Sequence, residues 1–210
     1  MSTPAPSDVL ELLDWKRRVF ELYGEIRAEA DASRAWRRWR DVRDELFASH
    51  PQSPLSEQDR ESFRGVQYFD YDSAARVVAT VEDTDQTGYD IGTSGGGSYR
   101  FTRWAKAEFE LYGQALSLEL YWLEGYGGGV FLPFADMTSG TTTYGAGRYL
   151  LDTAKGADLG MSGGRLVLDF NFAYNPSCAY DPRWVCPLAP PQNRLPVAAH
   201  AGERIDAPRP

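Results

Sequence analysis

At 210 residues the chain has the length of one ordinary domain and can bury a core without help from a metal or a disulfide. Its 22 Lys and Arg against 30 Asp and Glu leave a net charge of -8, which excludes the cationic surface that binding to nucleic-acid phosphates requires. No window is apolar enough for a membrane span, and Met1-Ser-Thr-Pro-Ala-Pro-Ser7 carries neither a secretory pattern nor a lipidation motif, so a cytoplasmic place with reduced thiols is expected.

From Ser7, placed to cap a first turn, Val9, Leu12, Leu13, Val19, Phe20, Tyr23 and Ile26 recur at the spacing of an amphipathic helix. Trp36, Trp39, Val42, Leu46 and Phe47 repeat the pattern after Ser33. That helix must stop before Pro51, because proline disfavours the helical region for its predecessor. Arg34, Arg37, Arg38, Arg40 and Arg43, interleaved with Asp41 and Asp44, read as its solvated face. Trp15, Trp36 and Trp39 read as packing residues, and Ser56-Glu-Gln-Asp59 as a short capped turn.

Beyond Val66 the period changes to two. Val77, Ala79 and Val81 alternate with Val78, Thr80 and Glu82, and Ala107, Phe109 and Leu111 with Lys106, Glu108 and Glu110. Gly113-Gln114 suits a type II′ hairpin joining 107–112 to 115–123, with Leu116, Leu118, Leu120 and Trp122 facing inward. Further strand candidates are 89–93, 99–104, 129–134, 148–151 and 165–170. The glycine runs at 94–98 and 124–129 precede strands rather than helices, so they serve as hairpin loops and cannot cradle phosphate.

The expected fold class is therefore α+β. A helical arm (1–64) precedes an antiparallel β-meander closed into a barrel or sandwich (65–200), with a proline-rich wrap after Asn171 and a flexible tail at 201–210.

Chemistry concentrates after the last hairpin. Asp136, Ser139, Thr143, Tyr144, Arg148 and Tyr149 place a carboxylate, hydroxyls and a guanidinium within a short span. Arg148 could grip an anion bidentately, or it could pair with Asp136 or Asp169 to hold a structured turn. Asp169, Asn171, Tyr174 and Asn175 follow a strand and could frame a pocket mouth or satisfy the backbone of the wrap. Cys178 and Cys186 flank Ala-Tyr-Asp-Pro-Arg-Trp-Val, and a bridge between them would contribute roughly 2–3 kcal/mol in the chain-entropy model. They read as structural thiols or a disulfide ahead of catalysis. No metal is expected, because a structural zinc needs four ligands and His50 and His200 show no motif spacing.

The segments Phe131-Leu-Pro-Phe-Ala-Asp136, Gly147-Arg-Tyr-Leu150, Leu168-Asp-Phe-Asn171, Ala173-Tyr-Asn-Pro176, Cys178-Ala-Tyr180, Cys186-Pro-Leu188 and Asn193-Arg-Leu195 together resemble an uncharacterised bacterial and archaeal family known only as a domain of unknown function (number 1684). The resemblance implies no reaction, ligand or cofactor. Similar sequences often carry Lys-Glu where this chain has Thr141-Thr142, and a glutamate where it has Gln192. Neither replacement can act as a general base at neutral pH.

Three functions compete. The first is a cytoplasmic module binding a small polar or anionic ligand through Asp136, Ser139, Tyr144, Arg148, Asp169, Asn171, Tyr174 and Asn175, with no cofactor, nucleic acid or membrane partner. The second is a hydrolase-type enzyme using Asp136, Asp169 or Cys178. The third is an interaction protein, with the helical arm joining two copies into a homodimer.

Overall fold

A computed structural model describes residues 5–205. Helix α1 (Pro6–Ala28) begins at a proline, whose fixed φ suits the first turn; Ala5 takes the cap position and Ser7 lies inside the helix, so the expected serine cap is not used. Helix α2 (Ala32–Ser49) is capped by Asp31, whose carboxylate accepts from the N–H groups of Ser33 and Arg34, and it ends at His50 before Pro51 as the sequence requires. Ser56 caps the short α3 (Glu57–Ser62) through the Asp59 N–H.

Seven strands follow: β1 (Arg76–Gly92), β2 (Ser98–Leu111), β3 (Gln114–Leu123), β4 (Val130–Phe134), β5 (Arg148–Asp152), β6 (Met161–Ser162) and β7 (Arg165–Asp169). They form one antiparallel sheet in the order β5-β4-β3-β2-β1-β7-β6. Its end strands do not pair with each other, so the sheet is open and not closed into the barrel expected as one of two forms. Register shifts at Asp83/Thr87 and Arg103/Ala105 fuse what the sequence presents as four short strands into two long bent ones. The β2–β3 loop is Tyr112-Gly113, with φ of 52° and 74°, and Leu111 faces Gln114. Two positive φ values define a type I′ turn, whose twist matches the flanking strands. The expected type II′ turn on Gly113-Gln114 thus falls one residue late.

Each face of the sheet is covered over part of its area. On one, Ala79, Ala107, Leu118, Leu120, Phe134 and Leu168 meet Leu195, Val197, Ala199 and Ala201 of the C-terminal segment. On the other, Val78 and Val167 meet Leu22, Ile26, Trp36 and Trp39 of the arm. Beyond Leu120 the outer face of β3 is buried instead: Tyr121 joins Ile91, Phe101, Phe131 and Tyr149, and Trp122, expected inside, is 45% exposed.

The segment expected as an extended wrap is interrupted by 3-10 turns at Ser177–Ala179 and Pro191–Asn193, and it is tied to strand edges. Asn193 bonds the Glu119 backbone in both directions and the Pro133 carbonyl, and Tyr149 and Tyr174 exchange backbone bonds of 2.9 and 3.1 Å along the free edge of β5. The expected flexible tail is instead packed as far as Glu203, which is fully buried. Glu203 N–H donates to Ala173 O at 2.8 Å, and the Phe69 N–H donates to Gly202 O at 3.0 Å. Residues 206–210 of that tail lie outside the described residues.

Candidate functional site

The residues expected to line one pocket separate into distinct centres. The first surrounds Arg148 in β5, whose side chain is 1% exposed. Its guanidinium donates to Asp136 Oδ2 at 3.0 Å, to the carbonyls of Ala199 at 3.1 Å and Glu203 at 3.0 Å, and to Ala201 O. Asp136 in turn accepts from the Thr138 N–H at 2.8 Å, from the Thr138 hydroxyl and from the Ala199 N–H at 3.3 Å, while Ser139 Oγ accepts from the Asp136 N–H at 3.0 Å. Burial pulls the Arg148 pKa down and the Asp136 charge opposes it. Every one of these bonds joins protein to protein. Arg148 is a staple that fastens residues 199–203 to the sheet, and the anion grip expected of it is spent on carbonyls.

A second centre ties the end of β7 to the arm. Asp169 accepts from the N–H and amide of Asn171 at 3.0 and 2.8 Å and from Arg76 at 3.1 Å. Asn171 also exchanges bonds with the Asp72 backbone, and its carbonyl accepts from the Trp36 indole at 3.0 Å. Burial pushes the Asp169 carboxyl up, and the Asn171 and Arg76 bonds oppose the rise. These bonds again join protein to protein, and Asn171 secures the arm rather than a pocket mouth or the wrap.

The third centre is different. Arg43 of α2, expected on a solvated face, points inward: its guanidinium lies 4.9 to 5.1 Å from the rings of Trp39, Phe47 and Tyr174 and pairs with Glu203. Arg40 is likewise sandwiched, 4.6 Å from Trp36 and 4.7 Å from Tyr68. Glu203 Oε2 accepts from the Asn175 N–H and the Tyr180 hydroxyl, each at 2.6 Å. Burial acts to lower the Arg43 pKa, but Glu203 together with Tyr68, Tyr180 and Tyr23 more than offsets it, and the guanidinium stays charged. Burial, reinforced by Glu203, holds the Tyr180 phenol protonated.

Above this ion pair is a cavity of about 90 Å³ lined by Arg43, Tyr149, Lys155, Tyr174, Asn175 and Cys186. Trp15, Lys155, Ser177 and Cys186 also line an outer hollow of about 370 Å³, whose further walls include Phe101, Leu123 and Phe131. The backbone pairing of Tyr174 with β5 places Asn175 at the inner end. Asn175 is 3% exposed, and neither its Nδ2 nor its Oδ1 has a hydrogen-bond partner; the Nε of Arg43 is in the same state. Lys155 is neutralised by Asp152 at 3.1 Å, as Arg43 is by Glu203.

Of the expected residues, Tyr174 and Asn175 line this cavity. Tyr144 belongs elsewhere, in the wall of a largely apolar hollow of about 640 Å³ with Leu55, Val66 and Ile205, and its hydroxyl lies 3.7 Å from Cys178 Sγ. The sequence reading missed Arg43 and Glu203. The spacing Trp36, Trp39, Arg43, Phe47 sets Arg43 on the apolar stripe of α2 and could have revealed it; Glu203 follows Ala201-Gly202 with no pattern at all. Among the described residues no group of three or more His, Cys, Asp or Glu could hold a metal ion, and no helix is long and apolar enough to cross a membrane.

An open antiparallel sheet packed against a helical arm and a C-terminal wrap, with two arginine centres inside, defines the molecule as an α+β protein with a polar-ended cavity. Residues 61–204 match the model of a family described as a protein of unknown function (DUF1684), and the chain belongs to that family. Among solved structures it is similar to an uncharacterized protein from gene locus rrnAC0354 of Haloarcula marismortui, determined by solution NMR. The two share 35% identity over 81% of this chain and 92% of that one, with a TM-score of 0.60. No curated protein matches the chain.

Proposed function

We propose that the protein is a cytoplasmic binding module for a small molecule with a neutral polar head and an apolar body, the head seated against Asn175 and the body in the outer hollow. The observation that carries this reading is the buried amide of Asn175. An unsatisfied buried donor or acceptor costs roughly 1–3 kcal/mol, and here both ends of one side chain go unbonded in the wall of a cavity. An amide facing such a space offers one donor edge and one acceptor to an incoming group. The two cations of the wall are each neutralised by a carboxylate, so a full negative charge gains little there, and the anionic ligand expected on Arg148 loses its anchor. The 90 Å³ cavity fits an amide or hydroxyl head, and Trp15, Phe101 and Phe131 supply the apolar walls that ligand sites usually have.

Native mass spectrometry of the purified protein, paired with calorimetry against small primary amides bearing aromatic tails, tests this. Wild type should carry or bind such a molecule, and Asn175→Leu should lose it while keeping its melting temperature. A drop in melting temperature for Asn175→Leu, or unaltered binding, would assign Asn175 to the scaffold.

A second reading rests on α1, where Val9, Leu12, Leu13 and Phe20 are 45 to 51% exposed although apolar. Such a stripe supports self-association through the arm. Light scattering should then give a dimer that Leu13→Glu converts to a monomer; a monomeric wild type refutes it.

A further inference from the structure

The Cys178–Cys186 loop returns on itself. Cys178 sits in the short turn Ser177–Ala179, and its N–H donates to Cys186 Sγ at 3.4 Å, so two sulfurs eight positions apart share one neighbourhood. Both are free thiols. Cys186 is buried and clamped to Ser94 by two bonds, Ser94 N–H to Cys186 O at 3.0 Å and Cys186 N–H to Ser94 Oγ at 3.1 Å. Cys178 is half-buried, with the Tyr144 hydroxyl 3.7 Å from its sulfur. No third ligand turns the pair into a metal centre among the described residues, and no histidine accompanies it as a base. What remains is chemistry between the two sulfurs themselves.

We propose that Cys178 and Cys186 form a redox-active dithiol that exchanges with low-molecular-weight disulfides, Cys178 attacking and Cys186 resolving. In the first step the Cys178 thiolate attacks one sulfur of the small disulfide. An S–S bond forms on Cys178, the original S–S bond breaks, and one small thiolate leaves. Cys186, giving up its proton to solvent or to the departing thiolate, then attacks the Cys178 sulfur of the mixed disulfide and expels the second small thiol. The net change is oxidation of two protein thiols to one disulfide and reduction of the small disulfide to two thiols.

The surroundings assign the roles. Hydrogen bonding from the Cys186 thiol, and then from the Ser94 and Tyr144 hydroxyls, outweighs burial and brings Cys178 down to about 6. The same sharing of a proton pushes Cys186 up, which keeps it protonated until Cys178 has reacted. A thiol with depressed pKa and partial exposure is the attacking partner of such pairs. Cys186 lines both cavities, and the loop it closes holds the arm's connection through Arg183 to Ser53 O and Leu55 O, each at 3.1 Å, and Trp184 to Pro54 O at 3.1 Å. Closing the bridge would therefore bear on the cavity wall, although the exchange itself does not depend on any ligand there.

The test is incubation of the full chain with glutathione disulfide at neutral pH, acid quenching and intact mass measurement. Wild type should lose two hydrogens, form no disulfide between chains and retain no glutathione. Cys186→Ser should keep one glutathionyl group on Cys178, and Cys178→Ser should react at least about tenfold more slowly. Alkylation of wild-type Cys178 should reach half its plateau rate near pH 6. The proposal is overturned if wild type keeps both thiols, accumulates a stable mixed disulfide or bridges only between chains. An alkylation midpoint in the ordinary thiol range overturns the assignment of attacker and resolver. Because the wild-type mass alone separates these outcomes, a serine variant that fails to fold leaves the proposal testable.

Discussion

Arg148 is buried and Arg43 largely so, both are paired with a carboxylate and both pack beside aromatic rings, yet they differ in what surrounds them. Around Arg148, donors meet protein acceptors, the Asp136 carboxylate and three carbonyls of residues 199–203. Around Arg43, the ion pair is satisfied through Glu203, but its own Nε and the amide of neighbouring Asn175 are not. Burial of a cation therefore does not distinguish a staple from a site. Bonding capacity left over inside a cavity does.

The contrast predicts graded effects. Arg148→Met should be the most damaging change, lowering stability by about 3–5 kcal/mol in urea unfolding, because it leaves the buried Asp136 carboxylate without its cation and removes the guanidinium donor from three carbonyls. If it costs no more than an Asn175 substitution, the staple assignment is wrong. Gly202→Ala should come next, at roughly 1–3 kcal/mol. Gly202 has φ of +79°, and a Cβ there would lie 2.5 Å from Ala173 O and 2.6 Å from Phe170 O, which would pry the 201–203 segment from its slot. Its unfolding midpoint should fall without any change in the arm's helical signal. Asn175→Leu should have the smallest effect, leaving stability unchanged or raising it by about 1 kcal/mol, since no side-chain bond is lost.

The same contrast explains what the sequence could reveal. Helix α2, the α3 cap and the β2–β3 hairpin were legible because each depends on local periodicity and turn chemistry. The turn type was misplaced because Tyr112, a bulky residue, adopts φ of 52°, which the sequence gives no reason to expect. The sequence offered Asp136 as one of two partners for Arg148, and the structure selects it. Expecting an anion there failed because the competing acceptors are backbone carbonyls of a segment read as a loose tail. No side-chain pattern announces a carbonyl. Asn175 was among the expected residues, but its companions Arg43 and Glu203 come from the two ends of the chain. Their meeting is a consequence of how the arm and the C-terminal segment pack together, which has no local signature.

Under the proposed function the Asn175 amide faces something that is not protein. A high-resolution crystal structure of the protein as purified, or soaked with a small aromatic amide, tests it most directly. The account predicts density for an organic group bonded to both Nδ2 and Oδ1 of Asn175 and extending past Trp15. An Asn175 side chain turned to bond protein atoms, or bonded by ordered water alone under saturating amide, would contradict it.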